Sequence, residues 1–313
     1  MSVSGLPAPR EGNRYEAWLL DTQGESRRSL GVLAIDAGGN GQIVFVDPEG
    51  ENLLGRFDRF EITLEPDPDA SANPSGEVTY SGGIPPGPLP HIRHVLSEFG
   101  GAPQGIGLAI GLRRDAELLN EAAQEMLRAQ ESGDVVGVKQ GAEAIFNLIV
   151  GQSGEAYGDV DGDGIVRDHG DGFGLLLNGD NIGYIQGVTE HARLAAESPD
   201  ASEDIRMHAE HVATSTRNLD EWAAGLRDLA LRIAAGAADP SPQDVRDLVS
   251  QADRFLNGDD LNGDELVDPI PGEGGAVTAY RHAQYMADMS VFEGQGRLPP
   301  SAVTGSYSSP SGD

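Results

Sequence analysis

The 313-residue chain contains no cysteine. Disulfides, thiolate metal sites and cysteine nucleophiles are therefore excluded, and the cellular compartment is left open. It has no run of about 18 apolar residues, so no membrane span is expected within it, and Met1 leads directly into SVSGLP without the charged and then apolar leader of a secretory signal. Positive charge is in short supply: 21 lysines and arginines face 51 acids, a net charge of -30. Such a chain repels nucleic-acid phosphates and anionic lipid alike, and neither is an expected partner. Catalytic signatures are missing too, with no nucleophile elbow, phosphate loop, HExxH helix or dinucleotide fingerprint. A non-enzymatic protein is expected. The glycines of GLAIGLRR (107–114) follow no strand and read as helix packing.

What is present is acidic and rich in turns, with 43 glycines and 19 prolines. In GDVDGDGIVRDHGDGFG (158–174), Asp159, Asp161 and Asp163 alternate before Gly164, the opening half of an EF-hand or dockerin-type calcium loop. Hard oxygen ligands at alternate positions converge on one cation only if the chain curls tightly, and glycine permits that curl. Three acids within five residues repel one another unless a cation neutralises them. The expected ligands are Asp159, Asp161, Asp163 and the carbonyl of Ile165, with Val166 turned inward. Gly170 stands where the loop's twelfth-position acid belongs, so Asp171 is expected to close the site.

A weaker echo, GDDLNGDELVDPIPGEGG (258–275), offers Asp260, Asn262, Asp264 and the Leu266 carbonyl, with Glu273 closing. Glu265 replaces the glycine there and is expected to resist the left-handed turn, so the first loop should bind more tightly. Both are read as fixed calcium staples, because the five methionines form no groove of the kind sensor EF-hands expose.

Residues 1–84 alternate as short strands, SVSGL, RYEAWLLD, RSLGVLAID, GQIVFVD, RFEITLEP and GEVTYSG, broken by turn chemistry. A small antiparallel sandwich of six or seven strands is predicted, with Trp18 as a core anchor between its sheets. IPPGPLP (84–90) reads as a stiff linker. Helical periodicity follows at 104–130 and 134–150, and helices are expected at 181–197, 203–217, 219–236, 242–256 and 275–290, with Ser241 capping 242–256. The last segment, 293–313, reads as a disordered tail.

Two stretches match once the loops are superposed. GLRRDAELL and a helix ending IFNLIVG precede the first, and GLRDLALRI and a helix ending ADRFLNG precede the second. After them, IQGVTEHARLAAE and AVTAYRHAQYMAD align His191 with His282. The predicted fold class is thus multidomain β plus α: a sandwich (1–84), a linker (85–90), and a bundle (91–292) of duplicated helix–helix–calcium loop–helix units.

The sandwich resembles the C-terminal, extracytoplasmic domain of the anti-sigma-K factor family. GLPAPREGNRYEAWLLD (5–21), SLGVLAIDAGGNGQIVF and FEITLEPDPDASANPSGEVTYSGG (60–83) carry the resemblance, over about a quarter of the chain. It implies a sigma-binding segment and one membrane helix before this domain. Neither lies in these residues, so sigma-factor binding falls on none of them. The helical half resembles extensions beside such domains in some bacterial membrane regulators, to which no activity attaches.

Histidine is scarce, seven in all, yet His91 and His94, and His208 and His211 in MHAEHV, stand at i and i+3. That spacing puts two imidazoles on one helix face, where zinc, copper or a haem iron can bind; solvation or carboxylate pairing is the plainer reading. GAEA at 141–144 lacks the histidines of HAEH, so a symmetric histidine site is expected to be incomplete. The leading expectation is the extracytoplasmic sensing or interaction region of a membrane-anchored regulator of the anti-sigma kind, with structural calcium and an unidentified protein partner or extracellular ligand. The alternative is an extracellular transition-metal or haem protein using His208 and His211.

Overall fold

The computed structural model describes residues 1–69, 71, 73, 74, 76–179 and 182–302. The tail expected beyond 302 and the helix start expected at 181 lie outside the described residues. Two compact units form: one from Met1–Leu89, Ser198–Glu203 and the described residues from Ala287 on, the other from Pro90–Glu197 and Asp204–Met286.

The first unit is built on antiparallel pairs. Strands β1 (Ser2–Val3) and β4 (Gly41–Gln42) form a small sheet, and β2 (Asn13–Leu20), β3 (Arg27–Leu33), β5 (Arg59–Pro66), β6 (Glu77–Gly83) and β7 (Val291–Glu293) form a larger one in the order β3-β2-β5-β6-β7. Alternation in β2 and β5 sends Tyr15, Ala17, Phe60 and Ile62 to one face, where they meet Leu33 in a buried cluster. Val3 and Ile43 cover that cluster, making two layers of β-structure.

Trp18 lies on the opposite face of β2, only 2% exposed, where its indole N–H donates to the Thr63 hydroxyl at 2.9 Å. It is a core residue, as expected, but not in the cluster between the two sheets. Two departures come from sequence-distant pairing. The seventh strand is taken from residues 291–293, so part of the supposed tail is a sheet edge, continued where the Arg297 N–H donates to the Ser81 hydroxyl at 2.8 Å. The proline-rich stretch is no open spacer, since Ile84 and Leu89 are buried at its ends.

The second unit holds α1 (Leu89–Leu96), α2 (Leu108–Ser132), α3 (Val135–Val150), α4 (Gly183–Glu197), α5 (Glu203–Ala235), α6 (Pro242–Asn257) and α7 (Ala276–Tyr285), apart from the first residues of α1 and α5. Helix α2 is central, packed on α3, α4, α6 and α7. Its buried stripe is rich in alanine, with Leu108, Leu112, Leu119 and Met126 between. Gly111 is required: a Cβ there would stand 2.1 Å from the Tyr184 ring. The glycines of 107–114 thus do serve packing. Ser241 caps α6 by accepting from the Asp244 N–H, with Pro242 in the first turn.

The two helices expected at 203–217 and 219–236 are one continuous helix, because no breaker separates them. Asn218 instead turns its amide outward to loop carbonyls. No helix among the described residues is long and apolar enough to cross a membrane.

Candidate metal centres

The first loop folds by local chemistry. Asp159 accepts from the N–H groups of Gly162 and Gly164, Asp161 from Asp163, and Asp163 from Ile165, at 2.8–3.0 Å. These aspartate turns curl the chain, and Gly164 takes φ 91°, a left-handed conformation that costs glycine little. Glu143 on α3 is fully buried beneath them, accepting from the N–H groups of Val160, Asp161 and Arg167 at 2.8–3.0 Å. Carboxylate oxygens of Glu143, Asp159 and Asp161 lie within 4.8 Å of one another.

Asp171 does not join this group. It accepts from the Arg114 guanidinium, from the Tyr184 hydroxyl at 2.6 Å and from the Phe173 N–H at 3.0 Å, which ties it to α2 and α4. Val166 is 49% exposed and does not pack inward as expected. An internal cation reaches the expected donors at the fifth and seventh positions. Arg167 donates to both oxygens of Asp163 at 3.0 and 2.7 Å and to the Ile165 carbonyl at 3.0 Å. Its hydrogen bonds hold the Asp163 carboxyl down at about 2.

In the second loop Asp260 accepts from Gly263, Asp264 and Glu265, Asn262 from Asp264, and Asp264 from Leu266, at 2.7–3.3 Å. Glu265 takes φ 69°, the left-handed turn it was expected to resist, at an inherent cost of roughly 1–2 kcal/mol. Glu273 is fully buried; one oxygen accepts from the Asp268 N–H at 3.1 Å, and the other has no hydrogen-bond partner. Counting from the first aspartate, Asp268 occupies the position of Arg167. The two loops therefore present a buried glutamate at the same backbone N–H, from the helix before the loop in one and from the turn after it in the other. Both donor sets are oxygen only, the chemistry suited to a hard cation such as calcium.

A further buried acid lies beside the first loop. Asp115 on α2 is fully buried, and neither of its oxygens has a hydrogen-bond partner, although the Arg114 guanidinium stands 3.6 Å away. Burial, reinforced by the charge of Asp171, raises its carboxyl to about 7.

Nitrogen donors form a second kind of centre. Helix α1 presents His91 and His94 to His191 of α4, whose Nδ1 lies 3.2 and 3.3 Å from theirs. Helix α5 presents His208 and His211 to His282 of α7, with Nδ1 separations of 3.0 and 3.3 Å. In each triad the three imidazoles bring ring nitrogens within 4.8 Å of one another, all half-buried. Six of the seven histidines are used this way. The symmetric site expected to be incomplete has its counterpart in α1, ahead of the segment where GAEA was compared with HAEH.

Each triad carries one aromatic neighbour. Phe99 lies against His94 and His191 at ring distances of 5.5 and 5.4 Å, and Tyr285 against His208 and His282 at 5.0 and 5.5 Å. Burial first, and then the neighbouring imidazoles, push His191 and His282 down to about 4. Both rings are neutral at pH 7, with lone pairs available.

Hydrogen bonding does not account for either arrangement. One ring nitrogen carries one in-plane hydrogen or one lone pair, so the Nδ1 of His191 cannot bond both its neighbours, nor that of His282. A metal ion satisfies all three at once. Bonds of about 2.0–2.1 Å at the tetrahedral angle separate ligand nitrogens by about 3.3–3.4 Å, close to the separations seen. Of the residues singled out in the sequence, the structure brings His91 and His94 together with His191, His208 and His211 with His282, and Asp159 with Asp161. Glu143 went unrecognised, its only signal being a lone acid in an apolar helix.

Comparison with known proteins finds a similarity within the first unit. A family model described as anti-sigma-K factor rskA, C-terminal, matches residues 1–78. This stretch runs from β1 into β6 and is similar to the C-terminal domain of those regulators, a class that is not enzymatic. It includes neither β7 nor any helix of the second unit. No curated protein and no solved structure matches the chain.

Proposed function

We propose that the helical unit is a duplicated receiver of transition-metal ions, two per chain, attached to an anti-sigma-K-like sandwich in the extracytoplasmic part of a bacterial regulator. The observation that carries this reading is the pair of triads, each made from an HxxH turn and one histidine of a later helix, with ring nitrogens 3.0–3.3 Å apart. Three imidazoles suit zinc, copper or cobalt, and leave a coordination position for water or a ligand. Haem is disfavoured, because a porphyrin must pass between its axial ligands and the third imidazole stands in the way. The similarity of residues 1–78 to a regulator's domain supports a signalling role over catalysis. The signal would be metal occupancy, and the membrane tether would lie outside these 313 residues.

The test is a titration of the chelator-stripped full chain with cobalt, whose visible absorption reports nitrogen ligation. Two equivalents are expected, displaced by zinc. No nitrogen-ligated spectrum and no calorimetric heat with zinc or copper would overturn the reading.

A further inference from the structure

The buried glutamate of the second loop is only half satisfied by hydrogen bonds. Glu273 is fully shielded from solvent, and one of its oxygens has no hydrogen-bond partner. A carboxylate is not left half-satisfied in a low-dielectric interior without cost. Its satisfied oxygen accepts from the N–H of Asp268, the ninth residue of the loop. Glu143 accepts in the same way from the ninth residue of the first loop, and there it stands within 4.8 Å of the loop's opening aspartates. By that correspondence the unpartnered oxygen of Glu273 is assigned to the loop that holds Asp260, Asn262 and Asp264. In the described structure these three accept only N–H groups of their own loop.

The surroundings of Glu273 lead to the second histidine triad. Its carbonyl accepts from the Asp259 N–H at 3.0 Å, closing the base of the loop. Asn218 of α5 grips the same turn, donating to the carbonyls of Ile270 and Gly274 and accepting from the Gly272 N–H at 2.9–3.1 Å. Gly275 then caps α7, and His282 follows two turns later. Helix α5 also carries His208 and His211, about three and two helical turns before Asn218. The path is closed: α5 holds the loop, the loop starts α7, and α7 returns His282 to α5.

We infer that residues 260–273 bind a calcium-class cation closed by Glu273, and that this cation, by fixing the start of α7, raises the affinity of His208, His211 and His282 for their transition metal. The second clause rests on the function proposed above; the first does not. Coupling of this kind is reciprocal, so the transition metal tightens the calcium site by the same factor.

The experiment uses the full chain with His94→Ala and His191→Ala, which leaves only the second triad. Cobalt is titrated by visible absorption with and without saturating calcium, and calcium is titrated by calorimetry, each with and without Glu273→Gln. The glutamine is isosteric and keeps an acceptor for Asp268; Asp264→Ala, at an exposed position, serves if it fails to fold. Calcium is expected to tighten cobalt binding about fivefold or more, and Glu273→Gln to weaken calcium at this loop about tenfold or more and abolish the enhancement. Calcium heats unchanged by Glu273→Gln and Asp264→Ala overturn the loop site. Calcium binding that leaves cobalt affinity unchanged overturns the coupling. Cobalt failing to bind in any state overturns the function, while the calcium titrations still judge the loop.

Discussion

The two halves of the helical unit solve the same problem of charge in different ways. In the first, Arg167 lies across Asp163 and the Ile165 carbonyl, so the loop carries its own cation. In the second, Asp268 stands at that position, and the buried Glu273 keeps an oxygen without a hydrogen-bond partner. The difference is expected to reverse the order of affinity that the acids alone imply. A loop with more carboxylates is not the better cation site when an arginine already spans two of its donors. Glu265 adds to this, since it already holds the left-handed conformation that a metal-wrapping turn needs.

The largest effects should come from the histidine triads, where the halves are expected to behave alike. His191→Ala and His282→Ala should each remove one metal equivalent, with affinity at the altered site falling about 100-fold or more, since even residues supporting a ligand cost 10–100-fold. Cobalt stoichiometry by visible absorption checks this, and a single substitution that emptied both triads would break the symmetry.

The next effect separates the halves. Asp115 has Leu229 as its counterpart in the aligned segments. Its folded pKa, about 7, lies above the ordinary value of 3.8, so the folded state holds a proton that the unfolded chain releases. Stability from this group is full below about pH 4, falls as pH rises toward 7, and is flat above. Asp115→Asn should remove that slope and raise stability at pH 8 by roughly 2–4 kcal/mol. Denaturant unfolding of the metal-free protein at pH 5 and pH 8 measures it, and an unchanged slope would refute the assignment.

The smallest effect bears on the arginine. Replacing Arg167 with glutamine should strengthen calcium binding at the first loop by about tenfold, as one unit charge about 4 Å away is worth roughly 1–4 kcal/mol at partly exposed sites. Calorimetry on Arg167→Gln in a Glu273→Gln background reads this loop alone. Weaker binding would make Arg167 a partner of the site, not its competitor.

The local elements were open to sequence reading because their causes are local. Side-chain oxygens two to five residues from their N–H partners wind both loops, Ser241 starts α6 through the Asp244 N–H three residues on, and alternation in β2 and β5 sorts the core face of the sheet. The HxxH pairs and the correspondence of His191 with His282 were visible for the same reason. Tertiary structure alone decided which of these meet. Separations of 100 and 74 residues divide the first and last histidines of the triads, Glu143 closes its loop from the preceding helix, and residues 291–293 complete a sheet begun near the N-terminus. Periodicity fixes the face a side chain occupies on its own helix, but the neighbour opposite that face is decided by how the helices pack. The backbone N–H groups that claim Glu143 and Glu273 come into reach only once those helices are in place.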